Sequence, residues 1–128
     1  MGAPSLRTSL RGVAVLVVDD DPDTVDIITA VLRQAGALVM PCRSAEDALA
    51  YCQFARPDIV VTDIMMPGRD GYWLLQELRS RFRKLPVVAI TAWGGRDRAL
   101  DAGFAGYMAK PLDPFALRNT LEALVPST

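Results

Sequence analysis

Three short stretches of the chain are almost uninterrupted apolar runs: Val13 to Val18 (VAVLVV), Ile59 to Val61 within DIVVTD, and Val87 to Ile90 within PVVAIT. They are rich in β-branched residues and do not alternate with polar ones, which is the pattern of strands buried on both faces of a parallel sheet. Two less apolar segments of strand length, ALVMP at 37–41 and AGYMAK at 105–110, complete a set of five. Between the runs the apolar residues take helical spacing. Val25, Ile28, Leu32 and Ala35 follow Asp21-Pro22, an N-cap and first-turn proline, and Gly36 stops that helix. Ser44 with Asp47 has the form of a capping box ahead of Ala48, Leu49 and Cys52. Leu74, Leu75 and Leu78 mark a third helix, a short one is expected over 96–102 and closed by Gly103, and Asp113-Pro114 opens a last one carrying Leu117, Leu121 and Leu124.

The order is β-α repeated five times with short connections. Right-handed crossovers then place helices on both faces of a five-stranded parallel sheet, an α/β fold. Residues 1–12 read as a flexible leader, 13–125 as one domain and 126–128 as a tail; a chain of 128 residues with 51% hydrophobic content suffices for one core and not for two.

Composition removes several function classes. A net charge of −1, from 14 basic and 15 acidic residues, gives no global field toward nucleic acid or an anionic membrane, so neither is expected as a direct partner. No apolar run approaches the roughly 20 residues of a membrane span, and MGAPSLRTSLRG lacks the apolar core of a secretory signal, so a cytoplasmic setting is expected. In that setting Cys42 and Cys52 read as reduced, buried thiols. There is no histidine, which removes Ser-His-Asp and Cys-His catalysis and most zinc sites. Carboxylate, hydroxyl and lysine chemistry remain.

Sites in open α/β sheets form at the carboxyl ends of the strands. The first strand ends in Asp19-Asp20, the third in Asp63, the fourth in Thr91 and the fifth in Lys110. Three crowded carboxylates repel one another, and a hard divalent cation such as Mg²⁺ resolves the repulsion with oxygen ligands. With an ammonium and a hydroxyl beside it, the set matches what phosphoryl transfer needs: a metal, a cation and a donor on the phosphoryl oxygens. Asp63 is the natural nucleophile, accepting the group as an acyl phosphate, with Asp19 and Asp20 on the metal and Lys110 and Thr91 on phosphoryl oxygens. Plainer readings stand beside this one. Strand-end aspartates also cap helices, the role given to Asp21. Gly68 and Gly71 serve backbone geometry. Tyr107 also fits an ordinary half-buried strand aromatic. Arg79, Arg81, Arg83 and Lys84 complement a helix C-terminus.

The blocks VLVVDDDPD (15–23), DIMMPGRDG (63–71), ITA (90–92) and AKP (109–111) resemble, in order and spacing, the receiver domains of two-component response regulators. The resemblance implies a flavodoxin-like strand order 2-1-3-4-5 and phosphorylation of Asp63 by a partner's phosphohistidine, from a sensor histidine kinase or phosphotransfer protein. It makes Asp20 a direct Mg²⁺ ligand, Asp19 a ligand through water, and the Met65 backbone carbonyl a third contact. Thr91 and Tyr107 fall on the family's switch positions, and Lys110-Pro111 on a cis bond. Such a domain signals to an output partner and catalyses only its own phosphorylation and dephosphorylation. Thr91 to Lys110 is shorter than in the single-domain chemotaxis receiver by about one helical turn, and the SLRG leader is similar to those of receivers fused to hybrid sensor kinases. Trp93, with Met65 opposite, is expected to shield an acyl phosphate from water. Three alternatives remain: an unphosphorylated receiver-like interaction module; a haloacid-dehalogenase-type phosphatase, whose nucleophile motif Asp21-Pro22-Asp23-Thr24-Val25 fits; and a flavin-binding domain, for which no Ser/Thr-rich phosphate loop follows the first strand.

Overall fold

The computed structural model describes residues 9–125. Five strands, β1 (Ala14–Val18), β2 (Leu38–Cys42), β3 (Ile59–Asp63), β4 (Val87–Thr91) and β5 (Gly106–Ala109), alternate with α1 (Pro22–Gln34), α2 (Ala45–Tyr51), α3 (Gly71–Arg81), α4 (Arg96–Ala102) and α5 (Pro114–Leu124). All strand pairs are parallel, in the order 2-1-3-4-5. β3 and β4 are buried at every position, as continuous apolar runs require, whereas β2 and β5 lie at the sheet edges and are partly exposed.

Successive residues of the central strands face opposite sides of the sheet and build two cores. Leu16, Val18, Val60, Val87 and Ala89 pack under α2, α3 and α4 with Leu74, Leu75 and Leu78. Val15, Val17, Ile59, Val61, Val88 and Ile90 pack under α1 and α5 with Ile28, Leu32, Leu117 and Leu121. The expected caps are in place. Asp21 and Asp113 accept backbone N–H groups at the starts of α1 and α5, and Ser44 accepts the Asp47 N–H at 3.0 Å. Among the described residues no helix is long and apolar enough to cross a membrane.

Residues 1–8 of the expected leader, and the tail 126–128, lie outside the described residues. Residues 9–12 correct the expectation of a flexible leader. Leu10 is fully buried in the α1/α5 core, its N–H donates to the Ala35 carbonyl at 2.9 Å, and the Gly12 N–H donates to that of Gly36 at 3.2 Å. Gly36 both takes a φ of 96° and leaves room for the crossing chain, since a Cβ there would sit 2.9 Å from Arg11 Cα. A single leucine among polar residues carries no periodicity, so its burial had no signature in the pattern.

Candidate functional site

The parallel register carries the ends of β1, β3, β4 and β5 to one edge of the sheet. Val18 pairs with Thr62, Asp63 with Ile90 and Thr91 with Ala109, so Asp19, Asp63, Thr91 and Lys110 emerge side by side. Lys110 bridges the two buried carboxylates: its Nζ lies 2.8 Å from Asp19 Oδ2 and 3.0 Å from Asp63 Oδ2. Asp19 is fully buried and Asp63 is 5% exposed, while Asp20 faces solvent. Carboxylate oxygens of Asp19, Asp20 and Asp63 all lie within 4.8 Å of one another.

The second oxygens of the buried pair are held by backbone. Asp19 Oδ1 accepts the Asp21 N–H at 3.0 Å, and Asp63 Oδ1 accepts the Met65 N–H at 3.2 Å. Burial raises the Asp19 pKa; Lys110 and the Asp21 N–H oppose this, and the charge of Asp63 adds to it. Burial pulls the Lys110 pKa down, but its bonds to Asp19 and Asp63 more than offset that and leave it raised, so the amine stays an ammonium.

Thr91 is buried, and its Oγ1 accepts the Trp93 N–H at 3.2 Å. The Tyr107 hydroxyl, from the neighbouring strand, donates to the Trp93 carbonyl at 3.0 Å. Both expected switch residues are therefore tied to the main chain of Trp93, a link the sequence did not announce because backbone groups leave no trace in residue identity. Trp93 is 68% exposed and Met65 56%. The Lys110-Pro111 bond is cis.

Asp21 stands outside the cluster. Its Oδ1 accepts the Asp23 N–H at 3.2 Å and its Oδ2 the Thr24 hydroxyl at 2.7 Å, with the Thr24 bond chiefly responsible for a lowered pKa. Both oxygens serve the cap of α1, so the phosphatase reading of the motif at 21–25 gains nothing here. Cys42 and Cys52 are free and buried, and burial pushes the Cys42 thiol up to about 11.

Two residues that received no specific role shape the site from behind. Asp70 caps α3 by accepting the Trp73 N–H at 2.9 Å. Gly71 begins that helix in contact with the end of β3: its N–H donates to the Ile64 carbonyl at 2.8 Å, and a Cβ there would lie 2.6 Å from the Asp63 carbonyl oxygen. The sequence assigned Gly71 to backbone geometry, but the atoms it approaches depend on the folded chain.

The donor set fits a hard divalent cation. Every candidate ligand is oxygen, and three clustered carboxylates share a single nearby ammonium, which leaves negative charge for a cation to balance.

Comparison with known proteins agrees with this arrangement. The family model of the response regulator receiver domain matches residues 15–122. An uncharacterized 14.6 kDa protein of Leptolyngbya boryana is 38% identical over 114 residues, covering 85% of this chain and 87% of that protein. The response regulator Rre1 of Synechocystis is 38% identical over 119 residues, covering 88% of this chain and 50% of Rre1, so the chain spans half of that longer relative. Among solved structures, the Vibrio cholerae chemotaxis protein CheY4 superposes with a TM-score of 0.83 at 27% identity, covering 89% of this chain and 99% of CheY4. By motif, strand order and family match, the chain belongs to the receiver domains of two-component response regulators.

Proposed function

We propose that the chain is a phosphorylatable switch: Asp63 accepts a phosphoryl group from a partner's phosphohistidine in a Mg²⁺-dependent reaction, and the acyl phosphate shifts the domain's conformation toward one that an output partner reads. The observation that carries this reading is the Lys110 ammonium placed between Asp19 and Asp63 at 2.8 and 3.0 Å. An ammonium in that position can follow negative charge from the carboxylate onto an incoming phosphoryl group.

In the transfer, an Asp63 carboxylate oxygen forms the new O–P bond while the donor's N–P bond breaks, and the imidazole nitrogen left behind takes a proton from solvent. Lys110, already 3.0 Å from Asp63 Oδ2, donates to a phosphoryl oxygen as charge develops there. Thr91 accepts the Trp93 N–H through its oxygen, which leaves its hydroxyl proton to donate to another phosphoryl oxygen. Asp20 and Asp63, with Asp19 and the Met65 carbonyl, would hold Mg²⁺, which would supply charge neutralisation for the phosphoryl group.

Switching follows from the shared anchor. A Thr91 hydroxyl that turns toward the phosphoryl group alters its bond to the Trp93 N–H, and the Tyr107 hydroxyl senses the same residue through its carbonyl. Phosphorylation biases two arrangements of this segment by the difference in their contacts. The family implies a sensor histidine kinase or phosphotransfer protein upstream and an output protein or domain downstream. Incubation with acetyl phosphate tests the reading: the intact mass gains one phosphoryl group with Mg²⁺ present and none with EDTA or in Asp63→Asn. A gain that ignores both conditions refutes it.

A further inference from the structure

At the opposite pole of the sheet, where the loops lead into β3 and β4, a concavity of about 620 Å³ is lined by Arg56, Arg81, Phe82, Arg83 and Lys84. No acidic side chain lines it. Arg81 is neutralised by Glu77 at 3.1 Å, but among the described residues Arg56, Arg83 and Lys84 pair with no carboxylate. The favourable field at the C-terminus of α3 explains Arg79, whose guanidinium donates to the carbonyls of Arg83, Leu85 and Gly103, and it explains Arg81. It does not explain Arg56, which arrives from the α2–β3 loop and sets its guanidinium over the Phe82 ring, 5.6 Å from the centroid. Three cations with no carboxylate partner among the described residues, one of them an Arg56 that also donates to the Pro57 carbonyl at 3.1 Å, thus converge from two separate loops in a chain whose net charge is −1.

We propose that this concavity binds a nucleotide bearing two or more phosphates. Guanidinium forks match phosphate oxygens in geometry as well as charge, and three uncompensated cations balance a di- or triphosphate. The Arg56 guanidinium, 5.6 Å from the Phe82 ring centroid, is itself planar and offers a face on which a base stacks. The volume lies in the range of small-ligand sites rather than of an extended peptide groove. Because the concavity lies at the other end of the strands from Asp63, occupancy there leaves the phosphorylation site open.

Calorimetric titration of the full chain in EDTA tests this, with ATP, inorganic tripolyphosphate and hexaglutamate as probes. ATP is expected to bind saturably with a Kd below about 1 mM, more tightly than either other probe. The double variant Arg56→Ala, Arg83→Ala is expected to weaken ATP by about tenfold to a hundredfold. Lys84→Glu, a single change at an exposed residue, is expected to weaken it as well, with the melting temperature confirming that each variant is folded. Arg96→Ala, which removes an exposed cation elsewhere, is expected to leave binding unchanged. The proposal is overturned by any of four results: no saturable ATP binding, tripolyphosphate binding as tightly as ATP, hexaglutamate binding more tightly, or Arg96→Ala matching the double variant.

Discussion

Replacing Gly71 by alanine probes the contact that seats α3 against the end of β3, where Asp63 stands. The added Cβ would lie 2.6 Å from the Asp63 carbonyl oxygen and 2.8 Å from Ile64 Cα, both backbone atoms that cannot rotate away. Relief requires the start of α3 or the turn after β3 to move by roughly half an ångström or more to restore van der Waals separation. Such overpacking costs about 1–3 kcal/mol, against which the less flexible unfolded chain returns about 0.4–1 kcal/mol. Taking the middle of each range, the net is a destabilisation of about 1.3 kcal/mol, or a fall in melting temperature of about 4–8 °C for a domain of this size. The displacement also reaches Asp63, whose carboxylate must keep its 3.0 Å approach to Lys110, and misplacement of a reacting group by about 1 Å can cost about a hundredfold in rate. Thermal denaturation by circular dichroism and the rate of phosphorylation by acetyl phosphate measure the two consequences. Gly94→Ala is the control: a Cβ there meets nothing within 4 Å, so it should be no less stable than wild type, gaining at most about 0.4–1 kcal/mol from the stiffer unfolded chain, with no loss of rate. A Gly71→Ala protein with wild-type stability and wild-type rate would refute the idea that this packing positions Asp63.

Lys110→Ala leaves Asp19 and Asp63 facing each other without their shared cation; it should lose about 1–3 kcal/mol of stability in EDTA and recover much of it in Mg²⁺ by denaturant titration, and equal stability in both would contradict the pairing. Chelation should likewise lower the wild-type melting temperature relative to Mg²⁺, with Asp20→Asn blunting the difference. The Cys42 thiol ionises near its ordinary value of 9.0 when unfolded and near about 11 when folded, so stability should decline as pH rises through that window, and the decline should be smaller in Cys42→Ala by denaturation at successive pH values. Trp93→Ala should shorten the lifetime of the acyl phosphate if the exposed ring shields it; an unchanged dephosphorylation rate rules the shielding out.

How clearly each element showed in the sequence tracks its place in the fold. β1, β3 and β4 are flanked by strands and covered by helices, so burial on both faces wrote continuous apolar runs into Val13–Val18, Ile59–Val61 and Val87–Ile90. β2 and β5 are edge strands, and residues such as Leu38 and Ala109 are exposed, which thinned their signal. Three helix starts were legible because capping uses short polar side chains at fixed offsets, as at Asp21, Ser44 and Asp113; Asp70 also caps by its side chain but stands in a loop already rich in turn residues, and α4 starts at Gly95 with no side-chain cap. The candidate cluster was legible because sheet topology sends strand ends to one edge, where Asp19, Asp20, Asp63, Thr91 and Lys110 stand. What could not be read was geometry between distant residues: the burial of Leu10, the close approach of Gly71 to Asp63, the bridge from Lys110 to two carboxylates, and the meeting of Thr91 and Tyr107 at the Trp93 main chain. Each depends on the folded path of the backbone rather than on local pattern.

The most direct test of the proposed chemistry is to trap the acyl phosphate and locate it. After phosphorylation with acetyl phosphate and Mg²⁺, borohydride reduction converts an aspartyl phosphate to homoserine, and peptide sequencing by mass spectrometry reads the position. Conversion at position 63 alone is the expected result. Homoserine at 19, 20 or 21, or a reduction-resistant phosphate on Thr91, would contradict the assignment of Asp63 as the residue that Lys110 and the neighbouring carboxylates serve.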